Sequence, residues 1–354
     1  MEKKENIRIV DIAKMANVSV GTVDRVLHDR GRVSDEKRKR IEEVLKKINY
    51  KPNVVARFLA SKRTFSFAVV IPTYKEGEYW ELVSTGVEKA VEELSNFNVT
   101  VDYIYYDQFD DSTMSKVAEQ LRENEYAGAV LSTVHKTKVM EISDILDELN
   151  IPYVFIDSNI AGRNNLAYFG TDSVVGGAIG AKLLMSHISS NDTILIAQTQ
   201  YKNLSSSMQL ESRETGFRTY LKEHNFRGDI KSFVFNPNEK EIYAKQLSLT
   251  MQDLKGNVGV IIFNSRIYEL VDLIQLAKGG DKIHKLIGYD TIDKNKEALK
   301  NDQISYLISQ RSIQQGYESV KALSTHLIFN GSLNTHNYLS IDILVKENID
   351  FYYD

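Results

Sequence analysis

Apolar residues recur at helical spacing in three short stretches of the first fifty residues. The first stretch, "IVDIAKMA", ends where Asn17 interrupts the pattern, and asparagine suits a tight turn. Ser19 can cap the second helix, and Ser34 precedes a third helix whose first turn is acidic. The inward-facing positions are Ile9, Ile12, Ala13 and Ala16, then Val23, Val26 and Leu27, then Ile41, Val44, Leu45 and Ile48. This pattern predicts a small all-α headpiece containing a helix-turn-helix.

From Thr64 onward, strand-like apolar runs alternate with longer helical stretches. The nine runs are "FSFAVVI", "VTVDYIYYD", "AGAVLST", "YVFID", "TILIAQT", "KSFVFN", "VGVIIF", "KLIGYD" and "SYLIS". This alternation predicts an α/β body with parallel, doubly wound sheets and helices on both faces. Nine strands favour two lobes over one sheet. Ligands in such folds bind beyond the carboxyl ends of the strands, so polar residues that follow the strands are candidates for a site.

Composition and motifs exclude several classes of protein. The 354 residues contain no cysteine, which excludes disulfides, thiolate catalysis and cysteine zinc sites. The chain has no long uncharged apolar run, and its start lacks the apolar core of a signal peptide, so we expect a cytoplasmic protein with no membrane partner. No H-E-x-x-H motif, P-loop or G-x-S-x-G elbow is present, and "GGAIGA" (176–181) falls inside a predicted helix, which indicates close helix packing. We therefore predict no enzyme activity, no cofactor and no bound metal.

The net charge of −4 conceals a division along the chain. Residues 1–63 hold 17 Lys and Arg against 9 Asp and Glu, a net charge of +8, so the other 291 residues, with 27 against 39, carry −12. A solvated, charge-rich surface is one interpretation of the basic part. The helix pattern favours another, in which a basic module binds a polyanion and the acidic body has a different role.

Several motifs follow one another in the basic part: "DIAKMANVSVGTVDRVL", "GRVS", "INYKPN" and "VARFLASKR". Through them the chain resembles, without a gap, the N-terminal headpiece of the lactose-repressor (LacI/GalR) family of bacterial transcription regulators. The resemblance implies that Val20, Gly21 and Arg25 read bases, since arginine can donate two hydrogen bonds to guanine. It also implies that Ser19 and Thr22 bind phosphates, which sets register without specifying sequence.

Asp24 departs from the family pattern, which usually has a serine there, and a carboxylate close to phosphate lowers affinity for DNA. Three interpretations remain open. Asp24 can accept a hydrogen bond from cytosine N4, pair inside the helix with His28 or orient Arg25, or mark an altered approach to DNA. We favour the interaction inside the helix, because a surface ion pair needs only local geometry.

The segment "KPNVVARFLASKRT" (51–64) is too short and too rich in β-branched residues to be a stable isolated helix. The resemblance implies a hinge helix that folds on DNA, where the two copies of a homodimer lie in the minor groove. Leu59 matches a leucine that opens the central base step, Ala56 and Ala60 allow close approach, and Arg57 lies near phosphate. The alternative is a linker in which Leu59 packs on the body. The predicted DNA-binding residues are therefore Ser19, Val20, Gly21, Thr22, Arg25, His28, Asn53, Ala56, Arg57, Leu59 and Ala60.

The body is similar to the effector domain of the same family, which shares its fold with periplasmic sugar-binding proteins, over residues 64–345. The similarity rests on "ESRETGFRTYL", "FNSRIYELVDLIQLA", "LIGYDTID" and "ISQRSIQQGYESVKAL". The predicted organisation is a headpiece at 1–50, a hinge at 51–64 and a body at 65–354, with lobes of approximately 65–165 with 310–337 and 166–309 with 338–354.

The resemblance implies seven effector-binding residues, which are Tyr79, Trp80, Asp157, Arg213, Asn264, Asp290 and Gln310. Carboxylates, a guanidinium and carboxamides bind hydroxyl groups, and aromatic planes cover the C–H faces of a ring, so a sugar is the expected effector. Tyr79 and Trp80 can instead be core residues, and Asp157 can be a strand-end cap. The family's arginine after the Asp157 position is Ser158 here, which removes one contact of a pentose-type set. A purine or other metabolite is the alternative effector, because aromatic rings also stack on bases.

We therefore expect an allosteric regulator, a repressor by resemblance, that binds a pseudo-palindromic operator as a homodimer and responds to a small ligand between its lobes. The C-terminal "VKENIDFYYD" has no leucine heptads, which favours a dimer over a tetramer. A sugar receptor without DNA binding and an enzyme acting on a sugar or nucleotide are the competing hypotheses. The basic headpiece argues against the first, and the missing catalytic motifs argue against the second.

Replacing Leu59 tests the hinge interpretation. We expect Leu59→Ala to weaken specific operator binding by roughly tenfold or more, because the bent duplex loses its wedge. Non-specific binding should change little, because phosphate contacts supply it. Fluorescence anisotropy on specific and random duplexes at two salt concentrations measures both affinities. An equal loss on the two duplexes would contradict the wedge.

Overall fold

The computed structural model describes residues 8–27, 31–48, 50, 63–200, 207–254 and 256–354. The chain divides into two compact units, Met1–Ser61 and Lys62–Asp354. Their architecture confirms the predicted fold class, with helices in the first unit and two largely parallel sheets with flanking helices in the second. His28 and the predicted hinge residues Asn53, Ala56, Arg57, Leu59 and Ala60 lie outside the described residues, so their roles stay predictions.

The headpiece helices form where the apolar pattern predicts them. They are α1 (Ile9–Met15), α2 (Val20–Leu27) and α3 (Asp35–Lys47). Asn17 adopts a φ of 51° in the turn between α1 and α2, a conformation that asparagine tolerates better than most residues. The Ser19 Oγ accepts a hydrogen bond from the Thr22 backbone N–H at 3.2 Å, which caps α2 as expected. The buried core of this unit consists of Ile12, Ala13, Ala16, Val23 and Ile41.

The body contains two six-stranded sheets, each with helices on its faces. The first lobe contains β1 (Phe65–Pro72), α4 (Tyr79–Glu93), β2 (Val99–Tyr106), α5 (Met114–Glu123), β3 (Gly128–Ser132), α6 (Lys136–Glu148), β4 (Tyr153–Ile156), β5 (Ala167–Gly170), α12 (Ser312–Leu327) and β11 (His336–Tyr338). The second contains α7 (Ser173–Met185), β6 (Thr193–Thr199), α8 (Met208–Glu223), β7 (Ile230–Phe235), α9 (Lys240–Asp253), β8 (Val258–Ile262), α10 (Ile267–Leu276), β9 (Ile283–Tyr289), α11 (Asp293–Lys300), β10 (Tyr306–Ser309) and β12 (Asp342–Leu344).

The strand orders are β11-β5-β4-β3-β1-β2 and β12-β10-β9-β8-β6-β7. Neighbouring strands are parallel except for the antiparallel pair of β10 and β12. Every residue of the central strands β3, β4 and β8 is buried, which explains their continuous apolar sequences. The carboxyl ends of parallel strands meet at one edge, so both sheets present their strand ends to the same cleft.

The chain crosses between the lobes three times, after β5, after β10 and after β11. Strand β5 pairs with β4 in the first sheet, so the first lobe extends to Gly170 and not to the predicted boundary at residue 165. Its four residues, "AYFG", end two residues before the next helix begins and are too few for an alternating pattern to identify them as a strand. Likewise β11, in which Tyr338 pairs with Gly170, extends the first lobe by one residue beyond the predicted 337.

Helices α7 and α8 approach each other closely at two glycines. A Cβ added at Gly177 would lie 1.8 Å from the carbonyl oxygen of Arg213, and one at Gly216 would lie 1.9 Å from that of Val174. No side chain fits at such distances, so the two backbones pack directly against each other. This contact confirms the packing interpretation of "GGAIGA". It also fixes the position of α8, which carries Arg213, relative to α7.

In the first lobe, helices α4 and α12 approach each other closely in the same way. A Cβ at Gly86 would lie 1.8 Å from the Ile313 carbonyl oxygen, and one at Gly316 would lie 2.1 Å from that of Val83. In each lobe, the helix that follows a crossover therefore packs against a neighbouring helix, and each helix of the pair contributes one glycine to the contact.

The adjacent residues Gly176 and Gly177 provide a matched test of this packing. We expect Gly177→Ala to lower the free energy of unfolding by about 1–3 kcal/mol, because the added methyl group must push α8 away. Gly176→Ala should be neutral or stabilising, because its nearest neighbour would lie at 3.8 Å and alanine favours a helix. Urea unfolding followed by circular dichroism measures both. Equal effects of the two substitutions would show that the close approach is not maintained in solution.

Candidate functional site

The outer face of α2 carries the residues predicted to read bases. Val20, Gly21 and Arg25 are exposed, whereas Val23 on the opposite face is fully buried. Ser19 and Thr22 share a hydrogen bond between their hydroxyl oxygens at 2.8 Å at the start of the helix. The helix therefore presents one small residue, one apolar residue and one cation to a partner, with its capping hydroxyl groups beside them.

Asp24 is partly buried on the same helix and takes part in a polar or electrostatic interaction. His28, one of its predicted partners, lies outside that part. The three interpretations of Asp24 therefore stay open.

Two acidic residues stand at strand ends in the cleft of the body. Asp157 follows β4 with a φ of 76°, and Asp290 follows β9 with a φ of 67°. Aspartate tolerates this left-handed conformation better than most residues, yet it is uncommon and occurs often at functional sites. Both side chains are buried, with exposed fractions of 4% and 2%. Their burial away from bulk water makes their hydrogen-bond partners the main determinant of their chemistry.

A hydrogen-bonded network connects the two carboxylates. The Gln310 Nε2 donates to Asp290 Oδ1 at 2.9 Å, and the Gln310 Oε1 accepts from Arg213 Nη2 at 2.9 Å. The Gln209 Nε2 donates to the same Gln310 oxygen at 2.8 Å and to Asp157 Oδ1 at 2.6 Å. Because Asp157 lies in the first lobe and Gln209 in the second, this network joins the lobes at the centre of the cleft.

Arg213 is the one charged group of α8 that reaches this network. Its side chain is 1% exposed, and Nη1 donates to the Phe263 carbonyl oxygen at 2.6 Å. The guanidinium carbon lies 4.1 Å from the centre of the Tyr289 ring, a cation–π distance. Packing and hydrogen bonds thus fix the guanidinium, so it can bind a ligand without losing further side-chain entropy.

Burial raises the pKa of both carboxyl groups. The pKa of Asp157 rises to about 7 because burial removes water, an effect that Arg213 opposes and the nearby Asp290 strengthens. The pKa of Asp290 rises to about 6, also because burial removes water, and both Arg213 and the hydrogen bond from Gln310 oppose the rise. One guanidinium therefore compensates two buried carboxylates incompletely.

The seven predicted effector residues all line one cavity of about 130 Å³ between the lobes. Tyr79 and Trp80 begin α4, and their rings meet edge to face with centroids 4.9 Å apart. Asn264 uses its amide within the second lobe, where Nδ2 donates to Thr199 Oγ1 at 2.9 Å and Oδ1 accepts from the Arg266 N–H at 2.9 Å. Geometry thus assembles the predicted set, and the role of each residue in binding stays a prediction.

Sequence reasoning missed several lining residues. Gln209 lies one helical turn before Arg213, a spacing that could have identified it, because residues four apart share a helix face. Gln108 and Phe109 reach the cavity from the loop after β2, and Tyr268 from the start of α10. No local pattern distinguishes these three from ordinary loop and helix residues.

An ion pair links the lobes at the cavity wall. Arg266 Nη2 of the second lobe lies 3.5 Å from Glu78 Oε1 of the first, and Nη1 lies 3.2 Å from Glu269 Oε1. The Arg266 guanidinium also lies 5.9 Å from the centre of the Phe109 ring. Contacts at the centre and at the wall therefore hold the lobes together in this structure.

Two kinds of feature are absent from the described ranges. They contain no cluster of three or more His, Cys, Asp or Glu side chains that could hold a metal ion. None of their helices combines the length and the apolar character needed to cross a bilayer.

Comparisons with known proteins agree with both units. Residues 8–53 match the family model of bacterial regulatory proteins, lacI family, and residues 67–331 match that of the periplasmic binding protein domain. A crystal structure of a protein from Bacteroides fragilis, described as a LacI transcriptional regulator, is 33% identical with a TM-score of 0.76 and covers 82% of this chain and 100% of its own.

Two curated relatives are also similar. The ribose operon repressor of Lactococcus lactis is 24% identical over 321 residues, which cover 89% of each protein. Catabolite control protein A of Staphylococcus xylosus is 31% identical over 153 residues, which are 43% of this chain and 44% of that relative. The second match therefore spans less than half of the relative's length.

The raised pKa values predict how stability depends on pH in the empty protein. Because the folded state keeps Asp157 protonated up to about pH 7 while an unfolded aspartate ionises near pH 4, unfolding releases a proton in between. The contribution of Asp157 to the free energy of unfolding is therefore fully present below about pH 4 and is lost as the pH rises to about 7. We expect Asp157→Asn, relative to the wild type, to gain on the order of 1–4 kcal/mol between pH 4.5 and pH 8.

Urea unfolding at the two pH values, followed by the fluorescence of Trp80, measures this gain, since Trp80 is the one tryptophan of the chain. Asp281→Asn is the control, because Asp281 is exposed and does not line the cavity. A gain that is the same at both pH values, or that the control shares, would contradict the burial argument.

Proposed function

This chain belongs to the lacI family of bacterial regulatory proteins. We propose that it represses transcription by binding an operator, and that a small polyhydroxy ligand in its cleft controls this binding. The ligand acts as an effector and dissociates from the cleft without chemical change. The protein acts in the cytoplasm, where bacterial DNA lies. The single observation that carries the ligand-binding part is the buried network of Asp157, Arg213, Asp290 and Gln310.

The headpiece supports operator binding through shape and charge. Val20, Gly21 and Arg25 lie exposed on α2, and the first 63 residues carry a net charge of +8. Positive charge supplies affinity for phosphates, and Arg25 supplies sequence preference by donating to guanine O6 and N7. Gly21 contributes no side chain, so other residues of the headpiece and the shape of the DNA must add to specificity.

Exposed apolar residues support a homodimer joined through the bodies. Ile242 and Leu249 of α9 are 54% and 63% exposed, and a spacing of seven places them on one face of the helix. Val234 of β7 and Tyr105 of β2 are also exposed, and β7 and β2 are the corresponding edge strands of the two sheets. A two-fold pairing along these edges would cover the patch in both subunits and would present two headpieces to a pseudo-palindromic operator.

The cleft supports a sugar as the ligand class. Two carboxylates, two carboxamides and a guanidinium surround the cavity centre, and tyrosine and tryptophan rings lie at its wall. Its volume of about 130 Å³ is below the roughly 300–1,000 Å³ of pockets for drug-sized ligands, so it suits one small ring better than a nucleotide. The ligand alters DNA binding only if it favours one arrangement of the lobes over another.

A two-part experiment tests this function. Selection from a random duplex library with the full-length protein should recover a two-fold symmetric sequence, and Arg25→Ala should lose preference for it while retaining salt-sensitive binding. Anisotropy on that operator is then followed while neutral monosaccharides, amino sugars and purines are added singly. We expect at least one sugar to change wild-type binding at least tenfold.

Asp290→Asn should keep operator affinity and lose the response, because the Asp290 side chain lies at the cavity and not in the headpiece. The exposed Asp281→Asn should keep both. Failure to enrich any sequence would overturn the DNA-binding function. Loss of operator binding with an intact response in Asp290→Asn would overturn the assignment of the cleft.

A further inference from the structure

The innermost part of the cleft contains more acidic than basic groups. Asp157 and Asp290 oppose the single guanidinium of Arg213, and all three groups are almost fully buried. The glutamines that complete the network are neutral donors, so with both carboxylates ionised the centre carries a net charge of −1. A buried charge without compensation costs several kcal/mol, because water no longer solvates it.

The position after Asp157 shows how the imbalance arises. Ser158 follows Asp157 and brings no cation to the cleft, and its backbone N–H donates to Thr133 Oγ1 at 2.8 Å. The group that contacts the Asp157 carboxylate from the opposite lobe is the neutral amide of Gln209, and not a second cation that could compensate the charge. A neutral amide satisfies one carboxylate oxygen by hydrogen bonding and leaves the charge in place.

The cavity wall repeats the excess of acid. Arg266 pairs with both Glu78 and Glu269, so these three side chains contribute two negative charges and one positive charge, and Arg266 and Glu269 make further interactions. Among the described residues that line the cavity, the only cations are Arg213 and Arg266, and each already serves two acids. Low-dielectric walls concentrate the resulting negative potential in the cleft.

Aromatic rings complete the lining. Tyr79, Trp80, Phe109 and Tyr268 all border the cavity. Aromatic faces attract cations through the ring quadrupole, and they pack equally well against the C–H face of a sugar. Carboxylates next to aromatic faces therefore form a site for a ligand that has both a polar ring and a positive charge.

We propose that the effector is an amine-bearing polyol such as an amino sugar, and that its ammonium group pairs with the carboxylate of Asp157. The proposal rests on the proposed function, because it names the ligand class of the same cleft. The ligand's charge supplies the compensation that the arginines of the cavity leave incomplete, and its hydroxyl groups bind Asp290, Gln310 and Arg213. A phosphorylated sugar is excluded, because its charge would add to the excess.

Matched pairs of sugars test the proposal with the full-length protein. Glucosamine and glucose, galactosamine and galactose, and mannosamine and mannose differ only by an amine in place of one hydroxyl group. Isothermal titration calorimetry at pH 7 should show, in at least one pair, that the amine binds at least tenfold more tightly. Glucose 6-phosphate should not bind at concentrations that saturate the protein with the preferred amine.

Variants locate the charge. Asp157→Asn should lose at least tenfold more affinity for the preferred amine than for its neutral partner. The exposed Asp281→Asn should leave the preference unchanged, and thermal melts verify that both variants are folded. The wild-type pairs decide by themselves if Asp157→Asn does not fold.

Equal or tighter binding of every neutral partner would overturn the proposal, and so would the absence of any amine binding below 10 mM. In the first case operator release by a neutral sugar would leave the proposed function intact. An amine preference that persists in folded Asp157→Asn would overturn the assignment of the ammonium group to that carboxylate.

Discussion

The body of this protein depends on two buried carboxylates that share one guanidinium. Asp157 enters from the first lobe, while Asp290 and Arg213 enter from the second, and the amides of Gln209 and Gln310 connect them. Removing Gln310 would take away the hydrogen bonds of both Asp290 Oδ1 and Arg213 Nη2, and leaving buried groups unpaired costs more than a hydrogen bond itself contributes. The network is therefore both the floor of the cavity and a contact that holds the lobes together.

Such a network requires a precise scaffold, and backbone packing provides it. The close approach at Gly177 and Gly216 fixes α8, which carries Arg213 and Gln209, against α7. In the first lobe, Gly86 and Gly316 fix α12 against α4. Gln315 of α12 accepts a hydrogen bond from the Asp157 N–H at 3.0 Å, so the same helix also holds the strand end that carries the carboxylate. Small residues at these contacts thus determine where the charged groups stand.

The sequence predicts much of this arrangement because its signals are local. Periodicity identifies the headpiece helices and the buried strands, and the position of polar residues after strands identifies Asp157, Asp290 and Gln310 as neighbours. The rest depends on contacts between distant segments. Strand β5 has four residues and no pattern of its own, and the pairing of Arg266 with Glu78 joins residues that only the folded lobes bring together. The family resemblance, and no local pattern, identifies Arg213, since an arginine inside a helix is usually exposed.

Under the proposed function, the excess of buried acid accounts for how a ligand would alter the relation between the lobes. When the lobes separate, Asp157 and Asp290 regain water and their mutual repulsion weakens, so the open arrangement costs less in the absence of a ligand. Closure on an empty cleft requires that a carboxyl group take up a proton or that a charge remain uncompensated. A ligand that supplies hydrogen-bond donors or a positive charge removes this cost in the closed arrangement only. That difference in affinity between the two arrangements is the condition for control by a ligand, and a few kcal/mol suffice to shift the population almost completely.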